Sequence, residues 1–184
     1  INAPLIYLDL RYIEAKFPPP NARGFRAAAA AFRGLLRCHA VAYHTIKRAY
    51  PTAQIGVAKQ LRPMYAPKGG LPAQWWAGRL EYIFNRLWLE SMNDGYLRLP
   101  IGRERLPHLA GSYDFIGINY YTYSNIAWPP GVKLYDETYP ADAIVGDGNY
   151  GEVWPQGLFE MIKLALPYGR PIYITENGMP DRDD

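Results

Sequence analysis

The sequence predicts an α/β fold built on a parallel sheet. Short apolar runs rich in β-branched residues alternate along the chain with long helix-periodic segments. The resulting strand, helix, strand order makes βαβ units, whose crossovers leave neighbouring strands parallel. The last short run is Arg170-Pro171-Ile172-Tyr173-Ile174-Thr175-Glu176-Asn177-Gly178. It climbs to one carboxylate, and Asn-Gly then turns the chain away. A lone acid at the tip of a buried parallel strand is how many α/β enzymes present their chemistry. Glu176 in that place can serve as nucleophile, general base, metal ligand or acceptor for a sugar hydroxyl. It can equally do no more than end a strand beside a turn.

Each element has its own signal. Residues 1–10 are apolar and short, which suits a strand end followed by a loop. Phe17-Pro18-Pro19-Pro20 forces an extended turn, because proline cannot continue a regular ladder. Asn21 is a plausible N-cap for a helix over residues 22–50, where Phe25, Ala29, Phe32, Leu36, Ala40, Tyr43 and Ile46 recur at helical spacing and Pro51 stops the run. Residues 55–58 read as a short buried strand, followed by a Pro- and Gly-rich loop over 62–72. A second long helix carries Trp75, Arg79, Ile83, Leu87 and Glu90, and Asn93-Asp94-Gly95 closes it. A turn-rich stretch over 100–111 leads to a strand over 114–121. A long irregular loop spans 123–152, a length at which loops are usually functional. A helix over 155–166, opened by Pro155, precedes the Glu176 strand.

Composition excludes several classes of function. The chain has 184 residues, 49% of them hydrophobic, enough for one sizeable core. The formal charge of +3 is spread over helix faces, with no basic stripe interleaved with stacking aromatics, so nucleic acid is not an expected partner. Sixteen Tyr and five Trp fill core positions and also suit a cleft that stacks sugar rings. No apolar run approaches a membrane span, and the start lacks a signal-peptide pattern. The single cysteine, Cys38, rules out an internal disulfide framework and points to a reducing, cytoplasmic setting. Its place in an apolar helix pattern predicts a buried structural thiol. His39 and His44 do not share a helix face, and His108 lies among charged loop residues. With no Cys/His cluster, phosphate loop or nucleophile elbow, metal, nucleotide and serine chemistry lack support.

Three strand ends carry polar side chains: Asn2, then Asn119 with Tyr121, then Glu176. In a parallel sheet all of them lie on the carboxyl edge, and in a closed barrel they would converge on one mouth. An amide and a phenol beside a carboxylate can orient it and hold sugar hydroxyls. Taken singly, Asn2 and Asn119 are ordinary turn formers. Their coincidence with Glu176 favours a site.

Four segments carry a family resemblance. Pro171-Ile172-Tyr173-Ile174-Thr175-Glu176-Asn177-Gly178 resembles the nucleophile signature of glycoside hydrolase family 1, the β-glucosidase and β-galactosidase group. Residues 113–122 resemble that family's sixth strand, and Glu152-Val153-Trp154-Pro155-Gln156-Gly157-Leu158 its approach to the helix before strand seven. The opening resembles the stretch after the acid/base motif, with the Phe-Pro-Pro turn and Cys38-His39-Ala40 in a long helix. The four occur in order along essentially the whole chain.

The resemblance implies a partial (β/α)8 TIM barrel running from the end of strand four through strand seven, a single incomplete domain over residues 1–184 truncated at both ends. It implies a retaining β-glycosidase that needs no metal or organic cofactor and acts on β-linked glucosides or galactosides. It implies Glu176 as nucleophile, Tyr121 as the hydroxyl that tunes it, Asn119 as a neighbouring polar group, and Asn2 as the contact to the hydroxyl beside the reacting carbon. The family's Asn-Glu-Pro, however, stands here as Asn2-Ala3-Pro4. Ala3 occupies the acid/base position, and a methyl group can neither give nor take a proton, so impaired hydrolysis is expected. Two other readings remain: a non-catalytic carbohydrate-binding protein on the same scaffold, and a half-barrel completed by a partner chain carrying the missing part. In either case the inward Ile, Val and Phe side chains of an unclosed sheet should face an open groove.

Overall fold

The computed structural model describes residues 1–18, 23–126, 128, 139–148 and 150–181. Asn2 makes a parallel bridge to Ala58, and α1 (Pro4–Leu8) follows at once, running into a π-helical turn at Asp9–Ile13. The expected strand end is therefore present, but the expected loop is helical. Pro4 fits the first helical turn because its missing N–H would have had no intrahelical partner there. Helix α2 (Phe25–Ala49) has Gly24 at its N-cap, and Asn21 falls outside the described residues.

Then come β1 (Gly56–Gln60), β2 (Met64–Tyr65), α3 (Gly70–Glu81) and α4 (Leu87–Asp94). The second long helix is not continuous. A π-helical turn at Tyr82–Arg86 separates α3 from α4, because an extra residue there breaks the i→i−4 ladder. Gly95 caps α4 at φ 75°, a left-handed conformation that glycine adopts without strain. The turn-rich stretch holds a small antiparallel ribbon of β3 (Tyr96–Leu97) and β4 (Glu104–Arg105). The chain continues through β5 (Phe115–Tyr120), β6 (Ser124–Asn125), α5 (Pro155–Ala165) and β7 (Ile172–Asn177). The loop expected over 123–152 thus begins with a short strand, and its residues 127, 129–138 and 149 lie outside the described set.

The main sheet is parallel in the order β1-β5-β7, with Asn2 bridged to β1. The short β2 and β6 form a second parallel pair. On the helix-facing side Val57, Ile116 and Ile118 are fully buried and join Phe32 and Leu36 of α2, Trp88 of α4 and Met161 of α5 in one core. The opposite face carries the expected Phe at Phe115, but not the expected Ile and Val. It carries Gly56, Ala58, Gly117 and Asn119, with Phe115 and Tyr173 meeting edge to face at 5.0 Å. Strand alternation sends the branched residues to the helices and the small and polar ones to the other side.

The α2 periodicity holds in the middle and fails at the ends. Ala29, Phe32, Leu36 and Ala40 are buried, whereas Phe25 and Ile46 are exposed. Cys38 is exposed as well, contrary to expectation, because two residues of helix rotate it away from the buried Leu36 stripe. His39 is buried, with Nε2 2.6 Å from the Ser112 carbonyl, and burial lowers its pKa. Among the described residues, no helix is long and apolar enough to cross a membrane.

Two stability predictions follow from the packing. A Cβ on Gly157 of α5 would lie 2.1 Å from the Tyr120 hydroxyl, which donates to the Trp154 carbonyl at 2.5 Å. Gly157→Ala should therefore overpack the α5–β5 contact and cost about 1–3 kcal/mol, read as a lower midpoint in urea. Lys59 is fully buried on the helix-facing side of β1, and its ammonium donates to the Phe84 and Gln60 carbonyls. Burial pushes its pKa from 10.5 down to about 7, with Glu81 pulling weakly the other way. Between about 7 and 10.5 the unfolded chain binds the extra proton, so folding stability should rise with pH across that window, by up to about 1.4 kcal/mol per unit. Below pH 7 both states are protonated and this contribution is flat. Unfolding in urea at several pH values should show the slope, and Lys59→Met should abolish it.

Candidate active site

At the carboxyl edge of the main sheet, four side chains from three segments converge on one carboxylate. Asn2 Nδ2 donates to Glu176 Oε1 at 2.9 Å, and the Tyr121 hydroxyl donates to Glu176 Oε2 at 2.5 Å. Asn119 Nδ2 donates to Asn2 Oδ1 at 2.7 Å. Thr175 Oγ1 donates to Asn119 Oδ1 at 2.6 Å. The result is a polar chain, Thr175–Asn119–Asn2–Glu176–Tyr121, in which each Glu176 oxygen has its own donor. Asn119 is wholly buried, while Glu176 and Tyr121 are half-buried and Asn2 is exposed. The chain is anchored below and open above.

A β-bulge aims the carboxylate. The β5–β7 register runs Ile118 with Ile174, then skips to Asn119 with Glu176, leaving Thr175 as the extra residue. Under strict alternation Thr175 and Glu176 would point to opposite faces. The bulge lets both reach the Asn119 side of the sheet, where one bonds Asn119 and the other Asn2. Asn177 Nδ2 then donates to the Tyr120 carbonyl at 2.8 Å and fixes the strand exits together.

Tyr121 lies just beyond β5. Burial, and next its bond to Glu176, raise its pKa well above the ordinary phenol value, so it remains a proton donor through neutral pH. Its ring meets Tyr150 edge to face at 5.0 Å.

Ala3 is adjacent to Asn2 and holds an unusual backbone conformation, φ 39° and ψ 52°. An L-residue in this left-handed region is strained by about 1–2 kcal/mol. The strain is locked in by neighbours: Ala3 N–H donates to the Ala58 carbonyl at 2.8 Å, and its carbonyl accepts from Tyr7 N–H at 3.2 Å. Such over-determined strain clusters at functional positions.

All five residues singled out in the sequence therefore lie on one edge: Asn2, Ala3, Asn119, Tyr121 and Glu176. The sequence reading passed over Thr175 and Tyr150. Thr175 stood inside the quoted motif, but only the bulge shows that it faces the site. Tyr150 lies in the long loop, where no periodic signal operates. Among the described residues no group of three or more His, Cys, Asp or Glu side chains could hold a metal ion.

The family model described as Glycosyl hydrolase family 1 matches residues 1–184. The chain belongs to glycosyl hydrolase family 1. A β-galactosidase of Pyrococcus woesei is 26% identical over all of this chain, which covers 42% of that protein. Beta-glucosidase 11 of Oryza sativa subsp. japonica is 35% identical over 46% of the chain. In three dimensions a β-glycosidase from Pyrococcus horikoshii superimposes with a TM-score of 0.83 at 28% identity, covering 100% of this chain and 42% of its own length. A family 1 β-glucosidase from Thermotoga maritima shares the fold, with a TM-score of 0.80 at 23% identity. The fold is thus a partial TIM barrel of family 1, and the chain spans about two fifths of the length of these structural relatives.

Proposed function

We propose that the chain is part of a retaining β-glycosidase acting on terminal β-linked glucosides or galactosides, with Glu176 as nucleophile. The observation that carries this reading is the separate hydrogen bond to each Glu176 oxygen, from Asn2 and from Tyr121. Two fixed donors hold the carboxylate plane still, and a fixed plane is what attack at one carbon requires. In the first step Glu176 forms an ester with the anomeric carbon as the leaving oxygen departs. In the second, water breaks that ester. The Asn2 amide, beside the attacking oxygen, is placed to bind the sugar hydroxyl next to the reacting carbon. Asn119 and Thr175 hold Asn2 in that role.

Retaining chemistry also uses a second carboxyl group about 5–5.5 Å from the first. In our reading that position is Ala3, so no group there protonates the leaving oxygen or activates the water. Glycosides with good leaving groups should still load Glu176, but turnover of ordinary glycosides should be slow. Residues 1–184 supply strand four's end through strand seven of a barrel. Activity would need the remaining strands, from the same polypeptide or from a partner chain. The Ala3 methyl also favours a second reading, a sugar-binding protein on this scaffold without catalysis. Turnover of an activated glycoside separates the two. The exposed single cysteine suits a reducing compartment such as the cytoplasm.

Three experiments test the assignment, each on a polypeptide that carries this chain within a closed barrel. A 2-fluoroglycoside with a good leaving group should become covalently attached to Glu176, as mapped by peptide mass spectrometry. Attachment elsewhere, with Glu176 unmodified, would remove it from the nucleophile role. Ala3→Glu should raise hydrolysis of unactivated β-glucosides by about 10²-fold or more. In the unsubstituted protein, azide should accelerate release of the glycosyl intermediate, since it needs no general base. A flat rate in Ala3→Glu would mean that the proton comes from another residue.

A further inference from the structure

Tyr121 lies past the last paired residue of β5, so the sheet ladder does not fix it. One side of its segment is anchored by Asn119 and by the Tyr120 carbonyl. The other side is Ser124, and what holds Ser124 is a buried polar chain reaching back to the helix layer. Arg62 Nη1 donates to Ser124 Oγ at 3.1 Å. Arg62 is itself clamped through its backbone: its N–H donates to Asn85 Oδ1 at 2.9 Å, and its carbonyl accepts from Asn85 Nδ2 at 2.7 Å. The Asn85 side chain thus completes the backbone pairing of a residue just beyond β1, as a strand neighbour would.

Asn85, Ser124 and Arg62 are buried, with 0%, 0% and 8% of their surfaces exposed. Asparagine is a poor helix-interior residue, because its amide competes for backbone partners. Here the π-helical turn accommodates it. The Lys59 ammonium donates to the Phe84 carbonyl of the same turn and so ties the turn to β1. A second tie runs alongside, with Ser124 N–H donating to the Pro63 carbonyl at 2.9 Å. Asn85, Arg62 and Ser124 are thus joined to one another by hydrogen bonds inside the core. An apolar contact would have served to pack a helix on a sheet at lower desolvation cost, but it would not have fixed a register.

We propose that Asn85 is a positioning residue for Tyr121: it clamps Arg62, Arg62 holds Ser124, and the β5 exit is thereby set so that the phenol reaches Glu176. This inference rests on the glycosidase reading for its consequence, but not for its geometry. The path is contiguous, from the π-helical turn through the β1 exit to the β5 exit, and it ends three residues from Tyr121.

The test uses the closed-barrel polypeptide carrying this chain, with tyrosine labelled at ring carbon Cζ by ¹³C. Asn85→Ala and Ser124→Ala should both move the Tyr121 resonance toward that of a free neutral phenol. The resonance of Tyr43, bonded to Asp114 at 3.0 Å in a separate contact, should stay in place. Attachment of the 2-fluoroglycoside should slow by about 10-fold or more, the scale of a small misplacement of a reacting group. Ser124→Ala removes only a hydroxyl, so it keeps the test alive if Asn85→Ala fails to fold. An unmoved Tyr121 resonance in folded Ser124→Ala overturns the proposal. A moved resonance with no label at Glu176 upholds the positioning role and instead defeats the nucleophile assignment.

Discussion

The arrangement at the carboxyl edge depends on how the central strand β5 is paired on its two sides. Gly117 sits in the middle of that strand. A Cβ there would come within 3.0 Å of the Thr175 side chain and 3.1 Å of the Ala58 Cα, tighter than most real side-chain contacts, so one of the flanking strands would have to give way. Its absence lets both flanking strands draw in, which brings Asn2, bridged to Ala58, and Glu176, beyond Thr175, within reach of Asn119. The Asn119 side chain then bonds to both sides, donating to Asn2 and accepting from Thr175. A side chain that is wholly buried and doubly bonded cannot shift without leaving a polar group unpaired, so it acts as the fixed point of the site. The exposed Asn2 and the half-buried Glu176 inherit their positions from it.

Much of this was legible in the sequence, for definite reasons. Branched runs separated by helix-length segments announce a parallel sheet, and a polar residue at the tip of each run must fall on the carboxyl edge. That pattern puts Asn2, Asn119, Tyr121 and Glu176 together on one edge. It could not place Thr175. Alternation along Ile172–Asn177 gives Thr175 and Glu176 opposite faces, and the bulge that overrides it is a property of β5–β7 pairing, not of either strand alone. The same limit applies to the inner face. Hydrophobic residues were expected there, but the helices claim Val57, Ile116 and Ile118 because they offer the deeper burial. Cys38 is exposed for a related reason, since the phase of the α2 stripe is set by the large residues Phe32 and Leu36, and Cys38 falls off it.

The buried cations and the π-helical turn were beyond sequence reasoning altogether. Lys59 stands just past the buried strand read over residues 55–58. In the fold it is covered completely, because the helical layer crosses β1 at that point and the π-helical turn supplies a carbonyl for the ammonium. A charged group in such a place stabilises nothing by burial, so its retention needs a different reason. Register is the reason the geometry offers. Apolar helix–sheet contacts tolerate sliding, whereas a donor facing one carbonyl does not, and the neighbouring Asn85 sits on the same turn.

The strained backbone at Ala3 has a cause other than its own side chain. Alanine gains nothing from a left-handed conformation, and no contact of its methyl group explains one. What holds φ at 39° is the pair of backbone bonds to Ala58 and Tyr7, against the extended conformation that Pro4 would favour for the residue before it. The backbone is therefore shaped to aim whatever side chain stands at position 3, independently of its chemistry. On the glycosidase reading proposed above, this backbone frame would aim a proton donor if position 3 carried one, and the Ala3 methyl leaves the frame without that group.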